Sequence, residues 1–344
     1  MEKNFTDLIV EINEITQGND LLRSLMLNNF YESLPGNIRN NFKIVLNKFY
    51  FLLKNKRDWI CGHNGCENES CYSHDISEGI FLKTISDSDS MVITLKRDMK
   101  NSPISFIEQS IHIRNATNFP GYCSFHDELL FRDIENKPAV LDELFVNKQC
   151  LRSARRRKFE IEFQMKSGSE FIASVPGDLI EIEEIKSAIN YIKKKIEALE
   201  ESLDRINKIY DKIKSGIESS RFEIQVVEFK SKKSGYYFST CLDLSSEKDD
   251  FPYILFIFKF DFGLEPRAFA CILKDNKSID LKRDIESNLS NLFMHAFYEE
   301  KEKLVFSRKF AEKLSGIGKG ILYRDADLYI LTSIEKAILQ SEFF

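Results

Sequence analysis

An α+β fold with a mainly antiparallel C-terminal sheet is the class that this 344-residue sequence predicts. Three observations predict it. Between 178 and 218, Ile182, Ile189, Ile196, Leu203, Tyr210 and Ile217 stand seven apart, and Ile185, Ile192, Leu199, Ile206 and Ile213 interleave with them. That is an a/d seam held over five repeats, the pattern of one long helix with a partner. From Phe222 onward the pattern changes to short runs rich in Val, Ile, Phe and Tyr, at Phe222–Phe229, Tyr236–Leu242, Tyr253–Phe260 and Ala268–Leu273, parted by polar turns. Between Cys61 and His126 the chain gathers four of its seven cysteines and four of its five histidines.

Composition limits the function classes. Apolar residues at 43% and charged residues at 30% describe a folded chain rather than a disordered one. A net charge of −5 is too small to name a partner, so any nucleic-acid surface would have to be a local patch. An odd number of cysteines, clustered with histidines, favours metal binding in a reducing compartment over a disulfide framework. Met1-Glu2-Lys3-Asn4 does not read as a signal peptide, and no run approaches the ~20 apolar residues of a membrane span. A cytoplasmic protein with no membrane partner is the expectation.

Taken in order, the chain divides into an N-terminal helical segment (1–57), a zinc-binding module (58–137), a helical hairpin or coiled coil (138–220) and a C-terminal α+β domain (221–344). Ile38, Phe42, Val45, Phe49 and Leu52 draw one apolar stripe, and Pro35 suits the first turn of its helix. In the second stretch a short helix is expected near Glu78–Ile85, strands at Met91–Leu95 and Phe106–Ile113, and a helix starting close to Cys123. Residues 139–166 read as helix, although Phe159, Ile161, Phe163 and Met165 also alternate as a strand would. The long helix, about 60 Å at 1.5 Å per residue, needs a partner. Either 139–166 folds back on it or a second copy of the chain does. Helices are expected near 279–300 and 304–314, then a strand and a final helix between Gly320 and Leu339.

The candidate chemistry lies in the second stretch. Zn²⁺ takes thiolate and imidazole donors in a tetrahedron, from two short rigid turns. Cys61-x4-Cys66 and Cys123-x2-His126 supply a complete set of four, with His74 or Cys71 as alternative ligands and His63 as a further one. A Cys turn followed by a ligand pair at a helix start resembles a treble-clef module. Residues 147–158 carry Lys148, Arg152, Arg155, Arg156, Arg157 and Lys158 and no acid. A solvated helix face is the ordinary reading of such a run. Phosphate contact by Arg152, Arg155, Arg156, Arg157 and Lys158 is the functional one. His295, isolated on an apolar helix, reads as a core histidine. Ser315–Gly320 lacks the spacing of a phosphate loop.

Cys61-x4-Cys66, Ser73-His74-x-Ile76-Ser77 and Phe119-Pro120-Gly121-x-Cys123-x2-His126-Asp127 together resemble a signature shared by a group of uncharacterised bacterial proteins, over about residues 59–135. The resemblance implies a zinc module and no particular reaction. A role in phage defence is an association it carries. A second resemblance is to zinc-stabilised HNH endonucleases. It implies His74 as the general base that activates water, Asn118 as the residue that orients it, and Asp127 as a holder of a catalytic Mg²⁺. Two expectations follow. The first is a zinc-stabilised scaffold that associates with itself or with a protein partner. The alternative is a metal-dependent nuclease built on the same frame, reaching nucleic acid through the basic helix.

Overall fold

The computed structural model describes residues 59–98, 102–135, 140–175, 177–180, 183–231, 234–245, 254–263, 265–274, 293–294, 296–298, 300–323 and 333–343. The helical segment expected over 4–57, most of the helix expected over 279–300, and His295 lie outside the described residues. What is described is a mixture of helices and antiparallel sheet.

The long apolar run Ile254–Phe262 explains the architecture. It forms a central strand, β7, with Ile254, Phe256, Phe258 and Phe260 in one core and Leu255 and Ile257 in another. A strand buried on both faces has no reason to alternate polar with apolar. Around it, among the described residues, lie β2 (Met91–Asp98), β3 (Ser102–His112), β5 (Ile224–Lys230), β6 (Tyr236–Asp243), β8 (Glu265–Leu273) and β9 (Val305–Phe306). The strand order is β3-β2-β9-β6-β7-β8-β5, and every neighbouring pair is antiparallel. One face carries the C-terminal side chains Phe293, Phe297, Phe310, Leu339 and Phe343. The other carries Cys61, Tyr122 and Cys123 together with Ile206, Ile209, Tyr210 and Ile213. Side chains from the 58–137, 138–220 and 221–344 stretches thus share one core. The β2–β3 hairpin, which belongs to the first of these by sequence, extends the sheet of the last.

Two remaining strands, β1 (Tyr72–His74) and β4 (Asn118–Pro120), make a separate antiparallel ribbon. The helix α1 (Ser124–Glu135) follows directly, then α2 (Glu143–Ser174) and α3 (Glu183–Glu218). Asp142 caps α2, its carboxylate accepting the Phe145 amide at 2.7 Å. α3 is the heptad helix, and its partner is α2 of the same chain. Lys158 Nζ lies 4.4 Å from the Tyr210 ring centre, whereas Gly168 faces Ile192 and Ile196, so the two helices run antiparallel. The alternation from Phe159 to Met165 is therefore helical, with Ile161 fully buried.

One expectation at the C-terminus is corrected. Residues 304–314 are not one helix. Val305 and Phe306 form β9, which pairs with β2 on one side and β6 on the other and so joins the hairpin to the sheet. Helix α4 (Arg308–Lys313) begins only after Ser307, whose hydroxyl accepts the Phe310 amide at 3.1 Å. Gly320–Tyr323 ends helix α5 (Gly316–Tyr323), which packs on the final helix α6 (Ser333–Phe343), and residues 324–332, which the strand expected after Gly320 would span, lie outside the described residues. Among the described residues no helix is long and apolar enough to cross a membrane.

Candidate metal centre

The first ligand turn is fixed by backbone geometry. Ile60 bridges Glu69, the Cys61 amide donates to the Asn68 carbonyl at 2.8 Å, and the Cys66 amide donates to the His63 carbonyl at 3.0 Å. Gly65 closes this loop at φ +76°, a conformation open to glycine at little cost. The loop is then tied to the second ligand segment. The Gly62 amide donates to Gly121 O at 2.9 Å, and the Cys71 amide to Tyr122 O at 2.7 Å. Arg155 passes close over the same point, its Nε donating to Gly121 O at 3.1 Å. A Cβ on Gly62 would lie 2.0 Å from that Nε, so any larger residue there must displace the Arg155 side chain.

The β1–β4 ribbon and the start of α1 deliver the second pair. Cys123 immediately precedes the helix, and His126 sits one turn in. The four donor atoms of Cys61, Cys66, Cys123 and His126 all lie within 4.8 Å of one another. Cys61 Sγ is 3.4 Å from His126 Nδ1, Cys123 Sγ is 3.3 Å from the same nitrogen, and Cys66 Sγ is 4.0 Å from Cys123 Sγ. Metal–sulfur bonds of ~2.3 Å and metal–nitrogen bonds of ~2.0–2.1 Å at tetrahedral angles give donor–donor edges of roughly 3.5–3.8 Å. The group could therefore hold a metal ion with small adjustments.

Its surroundings suit that role. The His63 amide donates to Cys61 Sγ at 3.4 Å, and the His63 ring stacks on His126 at 3.9 Å and 5°, fixing its orientation. Burial pushes the Cys61 thiol up to about 11. Burial also raises Cys123, but hydrogen bonds from the His126 amide and from Cys61, Cys66 and Asn68 outweigh it and hold that thiol below its usual range. Burial, with the charges of His63 and Lys214, lowers His126, which favours the neutral imidazole that ligates metal. Cys71, His63 and His74 stand outside the four-donor group. Cys71 is half-buried, and its thiol is raised by burial and by Asp127 and Cys123.

His74, Asn118 and Asp127 come to one region. The ribbon register sets His74 opposite Asn118, and Asp127 in the first turn of α1 feels the charge of His74. His74 Nε2 is buried without a hydrogen bond and lies 3.8 Å from Glu78 Oε2. The Asn118 amide is committed to the Arg114 carbonyl at 3.2 Å. Burial raises the Asp127 carboxyl despite Arg152 and the Ser73 hydroxyl.

The basic run points largely inward: Lys148, Arg152 and Arg155 are buried, and Arg156, Arg157 and Lys158 are half-buried. Arg152 is 1% exposed, lies over Phe131 and pairs with Glu135 at 2.7 Å. Arg155 pairs with Glu162 at 3.1 Å, Arg156 with Asp75 at 3.0 Å, and Arg157 with Glu160 at 3.6 Å, while Lys148 pairs with Asp133. Lys158 lies over the Tyr210 ring, and burial lowers its pKa. Sequence reasoning missed the acids that receive these cations. Glu160 takes Arg156 at 3.0 Å and Lys303 at 2.9 Å, and the fully buried Asp75 sits beside them. Burial pulls Lys303 down, but Glu160 and Glu300 more than restore it. This network ties β1, α2 and the segment before β9 together.

Comparison of the chain with protein-family models, with curated proteins and with solved structures returned no match.

Proposed function

We propose that Cys61, Cys66, Cys123 and His126 bind one structural zinc, and that the chain is a zinc-stabilised interaction protein. The observation that carries this reading is the set of four soft donors at tetrahedral spacing. A Cys3His set fills every position of a four-coordinate zinc, leaving none for water or substrate, which is the design of a structural site. The order of Cys turn, two-stranded ribbon and ligand-bearing helix start supports a treble-clef-like module. Zinc there would lock the Cys turn to α1 and, through Gly62, Gly121 and Arg155, to the long hairpin. The inward-turned basic run supports a protein partner or self-association over nucleic acid.

The nuclease reading rests on one observation, that His74 stays outside the donor group and faces Asn118 across the ribbon. The residues fit a catalytic Mg²⁺ poorly, since Asn118 is engaged by Arg114 and Asp127 is buried beside Arg152.

His74→Ala separates the two readings. The interaction protein should keep its full zinc content, lose about 1 kcal/mol of stability from a half-buried packing position, and show no metal-dependent cleavage before or after the change. Wild-type protein that nicks plasmid DNA with Mg²⁺, paired with a folded, zinc-replete His74→Ala that does not, would overturn the proposal.

A further inference from the structure

The α2–α3 hairpin has two unlike ends. Toward the sheet, Ile206, Ile209, Tyr210 and Ile213 of α3 are 0–2% exposed, because sheet and ribbon close over the seam. Toward the tip, Ile189 is buried, but Ile192, Ile196 and Leu199 of α3 and Met165, Gly168 and Ile172 of α2 remain half-buried. A two-helix hairpin leaves the flanks of its a/d layer open to solvent, and further helices packed against those flanks, as in a four-helix bundle, bury the layer more fully.

The charges on α3 say what fits. Lys193 and Glu200 are exposed, and neither makes an ion pair among the described residues. They stand seven residues apart, at the same heptad position, just before and after the middle of the open layer. Side by side in a parallel pair, two α3 helices would set Lys193 against Lys193 and Glu200 against Glu200. Antiparallel, about a two-fold axis between residues 196 and 197, each Lys193 meets Glu200 of the other copy. The interactions are then attractive and occur twice, as closed two-fold symmetry requires.

We infer that the occupant of this open layer is a second copy of the chain, whose hairpin tip packs antiparallel on the first to form a four-helix bundle. The inference rests on reading the chain as an interaction protein and names its partner. Lys194 and Lys195 on one side of the axis and Glu197 and Glu201 on the other extend the same polarity.

Sedimentation of the full-length, zinc-loaded chain tests it. Wild type should sediment at twice its 40.1 kDa mass. Lys193→Glu alone and Glu200→Lys alone should each weaken the dimer about tenfold or more, since each places like charges in both symmetric contacts. The double variant Lys193→Glu/Glu200→Lys should restore it. Within one helix the two positions lie two turns apart and do not touch, so reciprocal rescue reports contact between copies. A monomeric wild type, or a dimer indifferent to all three variants, overturns the inference. Zinc content measured on the same samples keeps that failure distinct from failure of the metal site.

Discussion

Cys123→Ser is expected to lose the metal and leave the chain without a cooperative unfolding transition. Cys123 is the hinge of the donor group, with its sulfur 3.3 Å from His126 Nδ1 and 4.0 Å from Cys66 Sγ, and it opens α1. Structural zinc contributes apparent folding free energies of about 10–16 kcal/mol in small zinc peptides. That matches or exceeds the whole stability of an ordinary domain, about 5–15 kcal/mol. The damage should not stay local, because Cys61 and Cys123 share a core with Tyr122, Tyr210 and the strands β6 to β8. Cys71→Ser is the control. Cys71 lies outside the donor group, so that variant should keep its zinc and melt near wild type. Circular dichroism melts with metal analysis check both, and a Cys123→Ser protein as stable as wild type would contradict the expectation.

Glu160→Gln should cost about 3 kcal/mol, the lower end of the range for removing one partner of a buried ion pair. Glu160 is the acceptor for Arg156, Arg157 and Lys303, and Gln leaves all three short of negative charge. The pH dependence has a definite sign. Burial raises the Glu160 carboxyl, but Lys303, Arg156 and Arg157 overcome that and hold it at about 2, below its ordinary 4.5. A lowered carboxylate contributes stability that is full above pH 4.5 and lost as pH falls toward about 2. Asp75 acts in the opposite sense, since burial raises it despite Arg156 and Lys303, and acid relieves its cost. Wild type should therefore lose stability between pH 4.5 and 2 more steeply than Glu160→Gln. Urea unfolding across that range measures the difference, and parallel curves would contradict it.

What could be read from the sequence depended on how local each signal is. Each ligand pair lies within one turn of chain, so Cys61-x4-Cys66 and Cys123-x2-His126 were visible. Only the structure joins the two pairs and leaves Cys71 and His74 aside. The heptad seam was visible because its period repeats five times, and the fold answers its need for a partner with α2. β9 was not visible, because two residues carry no periodicity and the strand exists only as a splice between β2 and β6. Helix α5 was not legible either, because Gly316, Gly318 and Gly320 have low helix preference, which its packing on α6 overrides. The inward packing of the basic run was not legible, for a physical reason. A string of Arg and Lys looks solvated unless its acids are in view, and Asp133, Glu135 and Asp75 meet Lys148, Arg152 and Arg156 across 15, 17 and 81 residues of sequence.

The central claim is the identity of the metal and of its four ligands. Elemental analysis and X-ray absorption on protein purified without added metal test it most directly. One zinc per chain, in a shell of three sulfurs and one nitrogen, is the predicted result. A zinc content near zero, with the thiols of Cys61, Cys66 and Cys123 freely titratable in the folded protein, would contradict it.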